Sequence, residues 1–221
     1  MGDDPDIEAG LAAIADFIDR SERTVIDEIN TTNDEGTPVK GYAFTHGDDQ
    51  LFAYSTAGSH FFTVQYEYDV TEQVAFADKA QQKLNKAPET VDGEIEVNVD
   101  LDENDLQRAQ QKVAAINGDR NPETLEKARS KLVEMLTHPD CAFKLNQRLN
   151  GPHGFKLQKK LFVYESGVRA SDFDAACQTL VSLSMVPQNF LQSIYDIQIE
   201  PPGSGTEEST GPQVPGSRGF Q

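Results

Sequence analysis

FFTVQYEYDV, residues 61–70, alternates apolar and polar side chains from position 62 onward. Successive side chains of a β-strand point to opposite faces of a sheet. This pattern therefore predicts a strand with one packed face and one solvated face. The side chains predicted to pack are Phe62, Val64, Tyr66 and Tyr68. The side chains predicted to face solvent are Thr63, Gln65, Glu67 and Asp69.

Three shorter strand-like runs precede this stretch, at residues 24–30, 39–45 and 51–56. The connections between them are short and rich in Asn, Asp and Gly, which predicts antiparallel hairpins arranged as a meander. Ahead of the strands, four apolar residues recur at helical spacing, which predicts an amphipathic helix that docks on the sheet. They are Ile7, Leu11, Ile14 and Ile18.

The stretch after residue 70 changes from strand to helix patterns. Thr71 is predicted to cap a helix that runs to about Lys86. Residues 87–138 then read as an inserted helical segment or subdomain. Within it, alternation at residues 94–101 predicts one short strand, and two helices follow. Asp102 is predicted to open the first helix, and Asn121 with Pro122 the second.

A second hairpin and a closing helix follow the insertion. The two strands are predicted at residues 141–149 and 155–165. A helical pattern starts at Ser171, and Pro187 predicts a break or a kink in it because proline cannot donate the helical N–H. The chain from 201 to 221 is rich in Pro and Gly and nearly free of apolar residues, which predicts a disordered tail.

This order of elements predicts an α+β fold, in which an antiparallel meander sheet is packed by N- and C-terminal helices. We expect residues 1–200 to form one such domain, with the helical insertion at 87–138. The two cysteines are too few for a disulfide framework. Cys177 falls within the last helical pattern and is expected to be a small core residue.

The net charge of −18 comes from 37 acidic against 19 basic residues and opposes binding to nucleic acid or to an anionic membrane. No apolar run approaches the roughly 20 residues of a membrane span, and the acidic N-terminus does not resemble a secretory signal. We therefore expect a cytoplasmic location. Two explanations of the acidity stay open: the salt-rich cytoplasm of a halophilic archaeon, or charge complementarity with basic partners.

Motifs for chemistry are absent from the sequence, and we predict no catalytic residue, no metal and no cofactor. The four histidines fall in separate elements, and His153, in the turn of the second hairpin, is expected to be solvated. Residues 100–104 imitate the start of an EF-hand loop, but Asp105 replaces the required glycine. A His138–Cys141 pair is conceivable, without a third group to orient it.

The second hairpin carries a basic and aromatic surface that could bind a partner. Its members share one strand parity and are Lys144, Arg148, Lys156, Lys160, Phe162 and Tyr164. Core residues are predicted at the other parity, at Phe143, Leu145, Leu157, Leu161 and Val163. The alternative is a solvated sheet face, either unpaired or paired with the acidic N-terminal helix of the chain.

The closing stretch LFVYESGVRASDFDAACQTLVSLSMVPQNFL, residues 161–191, completes a pattern that begins with the helix at 7–18 and the strands at 51–70. Over residues 5–86 and 139–197 this pattern resembles the type III secretion chaperone-like fold, including the YbjN-type domain. The resemblance implies a small acidic protein without catalytic residues, often homodimeric, that binds a partner polypeptide. The segment 87–138 departs from that family's compact pattern.

Three hypotheses of function follow. The first is a non-enzymatic protein-binding module, either chaperone-like or an adaptor, whose partner is another protein or a second copy of the chain. The second is an enzyme or small-ligand sensor with a pocket between the sheet and residues 87–138. The third is a structural or mobile-element protein of a halophile.

Overall fold

The computed structural model describes residues 7–21, 23–84, 99–162 and 168–197 of the chain. Within these ranges the chain forms a mixed helix and sheet structure, which confirms the predicted α+β class. The elements are α1 (Ile7–Arg20), β1 (Val25–Thr32), β2 (Pro38–His46), β3 (Asp49–Thr56), β4 (Phe61–Asp69), α2 (Val70–Leu84), α3 (Glu103–Gly118), α4 (Pro122–Leu136), β5 (Ala142–Asn146), β6 (Gly154–Phe162) and α5 (Ala170–Tyr195).

The sheet has six antiparallel strands in the order β1-β2-β3-β4-β6-β5. The first four strands form the predicted meander. The late hairpin adds to it through β6, which pairs with β4 along nine residues, from Phe61 opposite Phe162 to Asp69 opposite Gly154. The helices of the insertion therefore lie between β4 and β5 in the sequence, although the strands before and after them belong to one sheet. Gly154 permits this close pairing, since a Cβ there would lie 2.4 Å from the Tyr68 carbonyl oxygen.

Helices α1 and α5 pack on one face of the sheet, which we call the covered face. Helix α5 lies on β4 and β6, whereas α1 lies on β1, β2 and β3. The four β4 residues predicted to pack are all buried there, as are Leu157 and Leu161 of β6. In α1, Leu11, Ile14 and Ile18 are buried as their spacing predicted. Burying a side chain of this size contributes about 1.5–3 kcal/mol.

Helix α5 runs unbroken for 26 residues with Pro187 inside it, so of the predicted break or kink the break is wrong. Proline removes one backbone hydrogen bond and costs about 3 kcal/mol or more in a helix interior. Leu180 before Pro187 and Leu191 after it are both fully buried in the core. Their burial offsets the cost of the proline and continues the helix across it.

The helix starts agree with the sequence in part. Asp69, not Thr71, caps α2: its carboxylate accepts hydrogen bonds from the Thr71 N–H at 2.9 Å and from the Thr71 hydroxyl at 2.7 Å. Asp102 and Asp105 form a reciprocal capping box at α3, and Lys79 pairs with Asp105. The acidic run at residues 100–105 is therefore a helix start. Asn121 caps α4 as predicted.

Two predicted segments differ from the structure or lie outside it. Of the strand predicted at 94–101, residues 94–98 lie outside the described residues, and 99–101 are irregular. The tail at 201–221 also lies outside them.

Cys141 and Cys177 are buried free thiols. Burial raises the pKa of Cys177 to about 12, as expected of a small core residue. None of the described helices is both long and apolar enough to cross a bilayer.

Candidate functional site

The face of the sheet opposite α1 and α5, which we call the open face, carries the predicted bases of the late hairpin. Cross-strand pairing aligns them in rows with the polar residues of β4. Glu67 lies opposite Lys156, and Lys156 lies opposite Lys144 on the edge strand. Thr63 lies opposite Lys160. The predicted parity is therefore correct for Lys144, Lys156 and Lys160, whereas Arg148 lies in the turn after β5 and not on the predicted strand.

A hydrogen-bonded network of three side chains occupies the middle of the open face. The Gln158 amide nitrogen donates to Gln65 Oε1 at 2.8 Å and to the Tyr54 hydroxyl oxygen at 2.9 Å. The Tyr54 hydroxyl in turn donates to Gln65 Oε1 at 3.0 Å. Burial is the largest cause of a raised pKa at Tyr54, which keeps this hydroxyl protonated. The network joins β3, β4 and β6 through side chains as well as backbone.

A surface cleft of about 630 Å³ lies at the end of the open face, where β5 and β6 approach α2 and α3. We call it the hairpin cleft. It brings together three of the predicted partner-binding residues, Lys144, Arg148 and Lys156. The remaining lining residues are Glu67, Asp69, Thr71, Gln110, Leu145, Asn146, Gln147, Leu149 and His153.

The charges of the hairpin cleft are only partly paired. Lys156 donates to Glu67 at 2.7 Å, and each of these side chains is one-third exposed. Asp69 is occupied by the start of α2. Lys144 and Arg148 are exposed, and within the part of the chain that the structure describes neither forms an ion pair. The described part of the cleft therefore carries two exposed positive charges that no described carboxylate matches.

Lys160 and Phe162 lie at the other end of β6. At about 3.3 Å per residue, four residues separate Lys156 from Lys160 by about 13 Å. The Lys160 ammonium lies 4.2 Å above the Phe61 ring centroid, and Phe162 packs edge-on against the same ring. Phe162 is nevertheless 54% exposed. The predicted surface therefore consists of a basic end and an aromatic end, and Tyr164 lies outside the described residues.

Among the residues that the structure describes, none of these bases pairs with the acidic N-terminal helix, and residues 1–6 of that predicted region lie outside them. Helix α1 packs on the covered face, so it cannot reach the open face. Within α1, Asp16 pairs with Arg20. The partner of Lys156 is instead Glu67 of the neighbouring strand. The alternation in β4 predicted that Glu67 faces away from the core. The match with Lys156 depends on the strand order, which the sequence does not give.

His153 is buried rather than solvated, with 5% of its surface exposed. Its Nδ1 lies 3.1 Å from the Gly151 carbonyl oxygen, and its Nε2 lies 3.9 Å from Asp69 Oδ2. The turn around it is held by helices from elsewhere in the sequence: Tyr195 of α5 donates to the Pro152 carbonyl at 2.7 Å, and Asn117 of α3 donates to the Leu149 carbonyl at 2.8 Å. No local sequence signal marks these contacts.

A second cleft of about 460 Å³ lies beside α2 and is acidic. Five carboxylates line it: Asp48, Asp49, Glu67, Asp69 and Glu72. Burial, followed by the charges of Asp69 and Glu67, raises the pKa of Glu72. The described residues nonetheless contain no group of three or more His, Cys, Asp and Glu side chains arranged to hold a metal ion.

The His138–Cys141 pair does not form an activated nucleophile. Burial raises the pKa of the Cys141 thiol, an effect that the neighbouring Lys159 opposes and Asp140 reinforces. His138 Nδ1 already accepts a hydrogen bond from the Asp140 N–H at 3.2 Å. A thiol that stays protonated at neutral pH lacks the thiolate that nucleophilic chemistry requires.

Comparison with known proteins gives a distant structural likeness. No protein-family model matches the chain, and no curated protein does. The chain is similar to the crystal structure of an uncharacterized protein from Methanothermobacter thermautotrophicus, at 10% identity and a TM-score of 0.46. The likeness covers 84% of this chain and 99% of that one.

Proposed function

We propose that this chain is a non-enzymatic, cytoplasmic protein-binding module, of a chaperone-like or adaptor type. Its binding surface is the open face of β5 and β6, and its partner is a polypeptide with an acidic segment. The observation that carries the proposal is a pair of exposed bases in the hairpin cleft, Lys144 and Arg148, which form no ion pair with any described residue of a chain whose net charge is −18.

The two ends of this surface supply different parts of an interface. Charge complementarity at the basic end would steer an acidic segment into register and exclude basic partners. The exposed Phe162 ring at the aromatic end offers apolar area, and aromatic residues are enriched where protein interfaces exclude water. The network of Tyr54, Gln65 and Gln158 holds the strands between the two ends in place.

Affinity capture with two charge-matched variants tests the proposal. The first variant reverses three open-face bases, as Lys144→Glu, Arg148→Glu and Lys160→Glu. The control reverses three exposed bases of α4, as Lys127→Glu, Arg129→Glu and Lys131→Glu. Lys156 is left unchanged because it pairs with Glu67. Both variants change the net charge equally, so the comparison controls for net charge, and the ion pairs that the control bases form on α4 make it the more demanding variant for folding.

We expect the wild type and the α4 variant to capture the same stoichiometric partner from a lysate of the source organism at its native salt, and the open-face variant to lose it. Circular dichroism spectra of the three proteins should coincide, which shows that folding is intact. Capture by all three proteins, or loss by both variants, would contradict a binding surface on the open face.

A second candidate function is an enzyme or small-ligand sensor. It is favoured by the position of the hairpin cleft, since Gln110 of α3 faces residues of β5 and β6 across it. The volume falls in the range of small-molecule sites, about 300–1,000 Å³. A thermal-shift screen of metabolites against the wild type and the open-face variant tests this candidate. It predicts a rise in melting temperature for the wild type alone.

A further inference from the structure

We infer that the hairpin cleft binds a carboxylate of the partner's acidic segment between Lys144 and Arg148. This inference rests on the proposed function and makes it more specific: it assigns the ligand chemistry and the place where recognition occurs. The group that binds is the carboxylate of a Glu or Asp side chain in the partner polypeptide.

The pairing of charges within the cleft leaves this role to Lys144 and Arg148. Glu67 is matched by Lys156 at 2.7 Å. Asp69 accepts two hydrogen bonds from Thr71, and its charge lies at the N-terminus of α2, where the helix dipole favours an anion. Both acids of the cleft are therefore satisfied within the fold, whereas the two remaining bases have no ionic partner in the part of the chain that the structure describes.

The position of Lys144 is unfavourable for the fold alone. It lies directly opposite Lys156 across the β5–β6 pair. Like charges directly opposite each other destabilise a sheet. Lys156 already pairs with Glu67, so an incoming carboxylate beside Lys144 would complete the charge pairing of this cross-strand row.

Arg148 sits on a loop that is fixed at several points. The His153 N–H donates to the Asn146 carbonyl at 3.0 Å, which closes the loop between β5 and β6. Asn117 and Tyr195 anchor the carbonyl groups of Leu149 and Pro152 from below. Little backbone entropy therefore remains to be lost when a ligand binds, which favours affinity.

The two acidic residues that line the cleft select the charge of the ligand. Glu67 and Asp69 lie among the lining residues, and they oppose a dianionic phosphate more strongly than a singly charged carboxylate. The side-chain amides of Asn146 and Gln110 line the same cleft and can donate to carboxylate oxygens.

Titrations followed by NMR of the ¹⁵N-labelled full chain test the inference. The probes are a capped tetraglutamate peptide, a capped tetraglutamine peptide and succinate, in about 0.15 M salt, where charges beyond about 8 Å are screened. The variant is Lys144→Gln with Arg148→Gln. The control, Lys127→Gln with Lys131→Gln, removes two charges from α4 instead.

We expect the tetraglutamate peptide to shift the amide signals of residues 144–153 in the wild type and the control. Affinity in the cleft variant should fall by about tenfold or more, as for loss of a charge-assisted contact. Tetraglutamine should cause no shifts. Equal affinity in the cleft variant, or shifts confined to Lys160 and Phe162, would overturn the inference.

Two further outcomes separate this inference from the proposed function. Succinate binding as tightly as the peptide would overturn the inference in favour of a small-ligand site. If tetraglutamate does not bind but the open-face variant still loses its captured partner, the carboxylate inference fails and the protein-binding proposal stands. If that variant also keeps its partner, both fail.

Discussion

The two faces of β4 differ in what their side chains do, although they alternate along one strand. On the covered face, Phe62 and Val64 are fully buried beneath the helices. On the open face, Gln65 and Glu67 bond to Gln158 and Lys156 of β6 and stay partly exposed. Folding free energy thus depends mainly on the covered face of the strand, whereas the charge of the surface depends on its open face. Substitutions on one face should therefore leave the property of the other nearly unchanged.

The largest effect is expected beneath the covered face, at Leu180 of α5. Leu180→Asp should prevent folding, because it buries a charge without a partner. Leu180→Ala should fold and lower the free energy of unfolding by about 2–5 kcal/mol. Urea denaturation measures the loss. Gln178→Ala, on the exposed side of the same helix, is the control and should change stability by less than about 0.5 kcal/mol. Equal effects of the two alanine variants would show that α5 does not stabilise the sheet.

A smaller effect is expected in the network of the open face. Tyr54→Phe removes the hydroxyl that links Gln65 and Gln158, and should lower the free energy of unfolding by about 0.5–1.5 kcal/mol. Tyr42→Phe on the covered side of β2 is the matched control, since its hydroxyl makes no hydrogen bond to any described residue. A Tyr54→Phe loss as large as that of Leu180→Ala would contradict the division between the faces.

Acid should weaken one edge of the covered face through His46. Burial, followed by the charge of Arg23, lowers the pKa of His46 from its ordinary value of 6.5, and Asp174 and Asp49 oppose this. His46 Nδ1 accepts a hydrogen bond from Arg23 Nε at 2.8 Å, which requires an unprotonated nitrogen. The unfolded chain therefore binds the proton more tightly, and stability should fall as the pH drops below about 6.5 towards the lower folded pKa.

Chemical denaturation of the wild type and of His46→Gln at several pH values measures this effect. The glutamine oxygen can accept the Arg23 hydrogen bond at every pH. The wild type should therefore lose more stability than the variant between pH 7.5 and 5.5. Parallel curves would show that His46 does not contribute to the pH dependence.

The smallest effect on stability is expected from Lys144→Gln with Arg148→Gln. Both side chains are exposed, so the melting temperature should stay almost constant, with a free-energy change within about 0.5 kcal/mol. Relief of the repulsion between Lys144 and Lys156 favours a slight gain. Differential scanning calorimetry measures it. A loss above about 1 kcal/mol would mean that these bases serve the fold rather than binding.

The sequence predicted those parts of the fold that depend on local periodicity. The alternation in β4 and the spacing of Leu11, Ile14 and Ile18 each identified the buried side, because both patterns arise from the geometry of one element. The break at Pro187 was predicted from a local rule. It is absent because burial of residues on both sides of the proline outweighs that rule.

The candidate site could be predicted only in part. Strand parity placed Lys144, Lys156 and Lys160 on one face correctly. The cleft itself depends on the pairing of β6 with β4, across an insertion of many residues, and on Asn117 and Tyr195 holding the loop that carries Arg148. Such contacts between distant parts of the chain leave no periodic signal. The burial of His153 was missed for the same reason.

Hydrogen–deuterium exchange of the chain, free and with its captured partner, tests whether the open face is the binding surface. If the open face binds the partner, protection should increase in β5, in β6 and in the loop that carries Arg148, while α1 and α5 exchange as in the free chain. The opposite result is increased protection around Met185 and Val186, on the exposed side of α5, with no change in the hairpin. It would place the partner on the helical side and contradict binding by the open face.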